Sequence, residues 1–229
     1  MAIDSTAILA LDTATEIIST GLVVQGKYFF TQVDAGLSHS ELLFQMIDSV
    51  LALARLEREE ISLILCARGP GSWTGLRIGF SAAQGLAFAL RKPYRTIATL
   101  DYMALPHAAF HGAVIPALDA KQQRFFCAIY KHGRRISPYL DAEVEELAAL
   151  CADESNILLT GNAADILHAL LSPLCTAQHF VIDPNFRRGR ALDLIQCFRD
   201  QDSIKAEQEN AHSLLYLRKS DAEIQRHGR

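Results

Sequence analysis

The chain has 229 residues, half of them apolar, with 22 basic and 26 acidic side chains and a formal charge of −4. That length supports a substantial core in one domain or two small ones, and the acidic balance argues against a protein that grips nucleic acid unaided, because phosphate contacts need a basic face. The five cysteines are odd in number, widely separated and without a Cys-x-x-Cys pair; this predicts reduced, buried thiols rather than a disulfide or zinc framework, and a cytoplasmic setting.

The first apolar run ends at Asp12, too soon for a secretory leader. Residues 7–11, 17–24 and 28–33 read as strands, with Gln25-Gly26-Lys27 turning the second into the third. A helix capped by Ser38 or Ser40 and running to about Arg55 follows, because Leu42, Leu43, Met46, Ile47, Val50, Leu51 and Ala54 recur at helical spacing. Residues 61–67 form a short apolar run of strand length. The eleven residues Gly-Pro-Gly-Ser-Trp-Thr-Gly-Leu-Arg-Ile-Gly, 69–79, then open a second helix that is apolar as far as Leu90. This helix is shorter than the ~20 residues of a membrane span and carries Arg77 and Gln84, so no membrane association is predicted. A strand at 94–98 and a helix at 100–110 follow.

Residues 114–119 and 124–130 read as a second strand pair, turned again at His132-Gly133. Helices at 142–151, 163–171 and 192–198 and a strand at 156–160 follow, with loops at Ser172-Pro173 and Asp183-Pro184-Asn185. Three strands and then α-β-α-β-α is the order of half an actin-like, sugar-kinase-like ATPase fold. We place an N-terminal lobe at 1–110, a C-terminal lobe at 111–219 and a frayed tail at 220–229, which offers little to bury.

The glycine-rich loop fits neither common phosphate motif. A Walker loop ends in Gly-Lys-Ser/Thr, whereas Gly75 is followed by Leu76 and Arg77. A dinucleotide fingerprint needs glycines at positions one, three and six and an acidic residue about 20 residues on; Gly69, Gly71 and Gly75 miss that spacing and Thr96 and Thr99 occupy the acidic slot. A turn that packs a helix closely on a sheet is the alternative purpose. His107 and His111 stand four apart, as a metal pair on a helix would, but two ligands are not a site and no metal is assigned. His39, near Glu41, lacks a nucleophile motif and is read as part of a local polar cap. Arg68, Arg77, Arg124 and Arg187-Arg188-Gly189-Arg190 receive no role.

The loop, with Trp73 in place of Phe, resembles the GPGSFTGLRIG signature of the bacterial TsaB (YeaZ-like) family; its matching positions are Gly69, Pro70, Gly71, Ser72, Thr74 and Gly75. The resemblance continues at residues 8–15 (ILALDTAT), 38–43 (SHSELL) and Asp119-Ala120-Lys121, with thinner markers at Gly161-Asn162-Ala163 and Tyr216-Leu217-Arg218. It implies a two-lobed α/β protein of actin-like (ASKHA) fold, each lobe a mixed sheet with flanking helices. It further implies a non-catalytic scaffold for a TsaD-like catalytic subunit, with a TsaE-like ATPase, in threonylcarbamoylation of the adenosine beside the tRNA anticodon. Such a chain requires no cofactor of its own; ATP or ADP belongs to the assembled complex, and tRNA is met indirectly.

In that fold Asp12, Thr13 and Asp119 line a degenerate nucleotide cleft, while Ala14 replaces a customary glycine and no Asp-Gly-Gly loop follows Asp119. The two aspartates are read as acceptors of turn N–H groups, with no catalytic residue assigned. The second helix is apolar almost all round and Gly79, Ala83 and Ala87 form a small-residue ridge, so Leu42, Met46, Ile47, Phe80, Ala83 and Ala87 are the expected partner interface. Two alternatives remain: an active nucleotide-dependent phosphotransferase or ATPase using Asp12, Asp119 and the loop, and a homodimer through the same helices when the partner is absent.

Overall fold

The computed structural model describes residues 6–36, 38–200 and 213–218. The chain opens with an antiparallel meander of β1 (Ile8–Asp12), β2 (Ile17–Val24) and β3 (Lys27–Asp34). Gln25 and Gly26 at φ 51° and 71° form the two-residue turn whose twist suits a hairpin. Then come α1 (His39–Ala54), β4 (Leu63–Gly69), α2 (Trp73–Leu90) and β5 (Tyr94–Ala98), giving a sheet ordered β3-β2-β1-β4-β5 in which β1, β4 and β5 run parallel.

Every residue of β1 is buried, because both faces of the sheet are covered. Leu9 and Leu11 join the core under α1 and α2, whereas Ile8 and Ala10 point into the core on the other face. This is the two-residue alternation of a strand with a layer on each side. Both helices end on a left-handed arginine, Arg55 at φ 55° and Arg91 at φ 54°. Leu56 N–H and Lys92 N–H then reach back to the Leu51 and Ala87 carbonyls, each at 3.0 Å, closing the last turns.

Short α3 (Thr99–Ala104) leads to the second sheet: β6 (Ala113–Asp119), β7 (Arg124–Cys127), β8 (Tyr130–Lys131), β9 (Arg134–Arg135), β10 (Leu140–Glu143), β11 (Asn156–Thr160) and β12 (His179–Ile182). Its main order is β10-β7-β6-β11-β12, with β8 pairing β6 and β9. Two further helices, α4 (Val144–Leu150) and α5 (Ala164–Leu171), cover one face. The other face meets a core shared with the first sheet, in which Val114, Leu118 and Leu158 pack with Tyr102 and Met103 of α3 and with Leu194 and Ile195 of α6 (Ala191–Arg199). Helices α3 and α6 are thus the layer between the sheets.

Three expectations change, and one strand, β12, was not expected. The helix read at 100–110 is α3 plus a separate 3-10 turn at Leu105–His107, because Pro106 supplies no N–H to continue the ladder. The strand read at 124–130 breaks at Ala128-Ile129 into β7 and β8. Strand β10 takes residues 142–143 from the expected helix, and four-residue β12 is too short to show a period. The tail at 220–229 lies outside the described residues.

Candidate functional site

The loop between β4 and α2 lies directly against the turn that leaves β1. Ser72 N–H donates to the Ala14 carbonyl at 2.8 Å, and Ser72 Oγ accepts the Gly75 N–H at 3.2 Å, capping α2. A Cβ on Gly75 would stand 2.2 Å from the Thr13 carbonyl oxygen and one on Gly79 would stand 2.2 Å from Thr13 Oγ1. Glycine at these positions is therefore a requirement of close approach: the first turns of α2 sit on the Thr13–Ala14 backbone. His39 closes the other side, its Nε2–H donating to the Thr15 carbonyl at 2.8 Å from a buried position.

Asp12, at the end of β1, is 1% exposed, and chain donors occupy both carboxylate oxygens. Oδ1 accepts from Ala14 N–H at 3.2 Å and from Tyr102 O–H at 2.8 Å; Oδ2 accepts from Arg190 N–H at 3.1 Å. Burial dominates these bonds and raises the Asp12 pKa above the ordinary carboxylate range, while Tyr102 is pushed well up by its own burial and by the carboxylate beside it. Asp119 differs: it is exposed and accepts Lys121 N–H at 2.7 Å and Lys121 Nζ at 2.6 Å. Its desolvation is outweighed by those two bonds, and its pKa falls. As folded, the Asp12 carboxylate presents no edge to solvent.

Part of that cover is Arg190, whose backbone N–H meets Oδ2 and which sequence reasoning left without a role. Its side chain is 1% exposed, and its guanidinium bonds Thr160 Oγ1 at 2.9 Å, Asp183 Oδ2 and Asp193 Oδ2 at 3.3 Å and the Phe186 carbonyl at 3.4 Å. Around it the segment before α6 is tied to the first sheet: Gly189 N–H donates to Gln32 Oε1 at 2.9 Å and Ala191 N–H to Ser19 Oγ at 3.0 Å. Glu16, on the turn after β1, accepts Asn162 Nδ2 at 2.7 Å and Arg187 Nη2 at 3.3 Å. The chain thus lines the space between its two sheets with its own donors. Nothing in the local pattern Arg-Arg-Gly-Arg marks which arginine goes inside.

His107 and His111 do not form the helical pair weighed from the sequence, because His107 ends the 3-10 turn and bonds Asp183 Oδ2 at 3.2 Å while His111 is exposed on the following bend. Among the described residues no three His, Cys, Asp or Glu side chains converge as a metal site. All five cysteines are buried; desolvation pushes Cys66 and Cys127 up to about 12, far from reactive thiolates.

The six expected interface residues separate by burial. Ile47 and Ala83 have no accessible surface and Ala87 retains 7%, all three within the core beneath α1 and α2, and Met46 is buried at 5%. The small-residue ridge is buried, with Gly79 against Thr13, so in this fold it serves the packing of α2 within the chain's own core. Leu42 and Phe80 remain half-buried, Phe80 standing edge-on to Tyr94 at 6.0 Å. Outside, α1 shows Phe44 and Leu53 and α2 shows Phe88, which is 89% exposed. No helix among the described residues is long and apolar enough to cross a membrane.

Comparison with known proteins places this arrangement. Residues 32–169 match the model of the family described as TsaD, tRNA N6-adenosine threonylcarbamoyltransferase. The chain is 36% identical over 121 residues to the tRNA threonylcarbamoyladenosine biosynthesis protein TsaB of Haemophilus influenzae, covering 52% of this chain and 51% of that protein. It is 32% identical over 146 residues to TsaB of Escherichia coli, covering 60% and 63%. With TsaB of Bacillus subtilis it shares 23% over 227 residues, 94% of this chain and 96% of the other. The chain thus spans half to two thirds of the first two relatives.

A solved Pseudomonas aeruginosa protein described as similar to the peptidase YEAZ superposes with a TM-score of 0.71 at 25% identity, covering 93% of this chain and all of the other. A Streptococcus pneumoniae ROK family protein in complex with sucrose superposes at 0.50 with 11% identity, covering 86% and 99%. It shows the fold alone: the two-sheet architecture is the actin-like, sugar-kinase-like one.

Proposed function

We propose, from the premise that this chain belongs to the TsaB family, that it is a non-catalytic scaffold in tRNA threonylcarbamoyladenosine formation. Its partner in this reading is a TsaD-like catalytic subunit, with a TsaE-like ATPase in the same assembly and tRNA met through the complex. The observation that carries the reading is the apolar surface left on α1 and α2. Phe88, Phe44 and Leu53 stand in solvent on helices whose inner faces are already filled by the sheet. Covering a phenylalanine returns about 2 kcal/mol by area alone, which gives such a surface a driving force for association.

The buried residues Met46, Ile47, Ala83 and Ala87 act in this proposal from beneath, holding the helices on the sheet, and Leu42 and Phe80 lie at the margin. Asp12, with both oxygens occupied by the chain, supports a structural role for the former nucleotide cleft. A charge at Ala83 would test folding, since it would enter the core; a charge at Phe88 tests docking. Mixed with its cognate TsaD-like subunit, the wild-type chain should elute as a one-to-one complex by light scattering. Phe88→Asp should weaken that complex at least about thirtyfold, as loss of a buried aromatic anchor does, with melting unchanged. Absence of any complex at micromolar concentration, together with stoichiometric ATP binding by the isolated chain, would favour the phosphotransferase reading. Self-association that Phe88→Asp removes would instead point to a second copy on this face.

A further inference from the structure

Residues 213–218 lie far from the glycine loop in sequence and directly on it in space. Leu215 N–H donates to the Arg68 carbonyl at 2.8 Å, and Thr96 Oγ1 reaches the Ser213 carbonyl at 3.5 Å. Tyr216 stacks on Trp73 with ring centres 4.2 Å apart and a tilt of 35°. Two residues on, the segment is attached to the second sheet. Arg218 grips Asp141 of β10 with a two-pronged pair, Nε to Oδ2 at 2.8 Å and Nη2 to Oδ1 at 2.9 Å, and its Nη1 donates to the Ala120 carbonyl at 3.1 Å.

The loop is built to receive this segment. Gly69 has φ 103°, and a Cβ there would lie 2.6 Å from the Leu215 carbonyl oxygen, so a side chain would be strained by its backbone and would displace the segment. What the contact presents outward is a pair of rings. Trp73 is 38% and Tyr216 42% exposed, and the Arg77 guanidinium lies 5.6 Å from the Trp73 ring centre. Trp73, Arg77 and Phe88 lie along one outward stripe of α2, since steps of four and eleven residues return to nearly the same side of a helix.

We propose that the Tyr216-Leu217-Arg218 segment is part of the docking surface: clamped between the glycine loop and β10, it sets Tyr216 on Trp73 as an aromatic pad that extends the α2 face toward the TsaD-like subunit. This rests on the scaffold reading. The pad is an interface element of the recognised kind, two amphipathic rings with an arginine beside them, and the arginine clamp supplies the preorganisation that spares the segment an ordering cost on binding.

The test combines a partner-free measurement with a binding one. In the isolated full-length chain, Arg218→Ala should raise amide exchange in the residues around 69–76 and 213–218 without changing exchange in β1 and β2. Arg218→Lys, which cannot form the two-pronged pair, should give an intermediate effect. In titrations with the TsaD-like subunit, Tyr216→Ala and Arg218→Ala should each weaken binding by about tenfold, mainly through faster dissociation, as truncation at the rim of an interface core does. Unchanged exchange in Arg218→Ala would overturn the clamp, and unchanged affinity in both variants would overturn the pad. Phe88→Asp separates the two readings: if it abolishes the complex while Tyr216→Ala leaves it intact, the scaffold role stands and the pad falls; if no variant or wild-type chain binds, both fall.

Discussion

Asp12 uses two oxygens on three donors, one from its own turn and two from distant parts of the chain, and that arrangement has a measurable pH signature. Its folded pKa lies above its unfolded value of about 3.9, so the native state holds this proton more tightly than the unfolded chain. The stabilisation from that excess proton is complete below about pH 4 and is lost as pH rises through the raised folded pKa. Asp12→Asn removes the titration. The difference in unfolding free energy between wild type and Asp12→Asn, followed by chemical denaturation, should move in favour of the wild type on acidification across that window. A flat difference would mean that Asp12 ionises normally. At the glycine loop two opposing effects compete: alanine gains about 1 kcal/mol over glycine in a helix, but overpacking costs about 1–3 kcal/mol. Gly75→Ala meets a backbone carbonyl and Gly79→Ala a hydroxyl that can turn aside. Both should lower the melting temperature, Gly75→Ala the more; equal or raised melting would show that the loop yields.

Helices α1 and α2 each have a filled inner side and an outer side with apolar residues remaining on it. The apolar period of α1 was legible because Leu43, Met46, Ile47, Val50 and Leu51 obey one rule and are all buried. What the period could not show was direction. On a helix that is apolar nearly all round, Ala83 and Phe88 look equally available, yet one has no accessible surface and the other is 89% exposed. The small residues face inward because the glycine loop must lie on Thr13, a constraint supplied by another element. Hence the expectation for Phe88→Asp: docking is lost while stability changes by no more than about 0.5 kcal/mol, the usual range for an exposed site.

At the scale of the molecule, the two sheets share one core through α3 and α6, and Arg190, just before α6, is buried at its edge. Its charge is out of water beside Asp183 and Asp193, with Thr160 completing the set. Removing one partner of a buried pair leaves the others uncompensated, at a cost of about 3–5 kcal/mol. Arg190→Met, which keeps length and loses charge, should therefore lower stability by that order in urea. It should also loosen both sheets together in amide exchange; a loss confined to the second sheet would show that Arg190 does not couple them.

By itself the sequence determined the strand and helix order of the first sheet, the glycine loop that opens α2 and the family it resembles. These rest on near-neighbour rules: a short apolar run of strand length in β4, helical spacing in α1, and a turn wherever glycine or proline breaks the pattern. Strand β2 and β5 occupy the residues expected of them, at 17–24 and 94–98. Tertiary structure alone decided that Asp12 is covered by Tyr102 and Arg190, 90 and 178 residues away, that the ridge of α2 faces the sheet, and that Arg218 reaches Asp141 across 77 residues. Burial, pairing and the closing of a cleft are properties of which surfaces meet. A period of two or of 3.6 residues specifies a face, and only the neighbouring element specifies what that face touches.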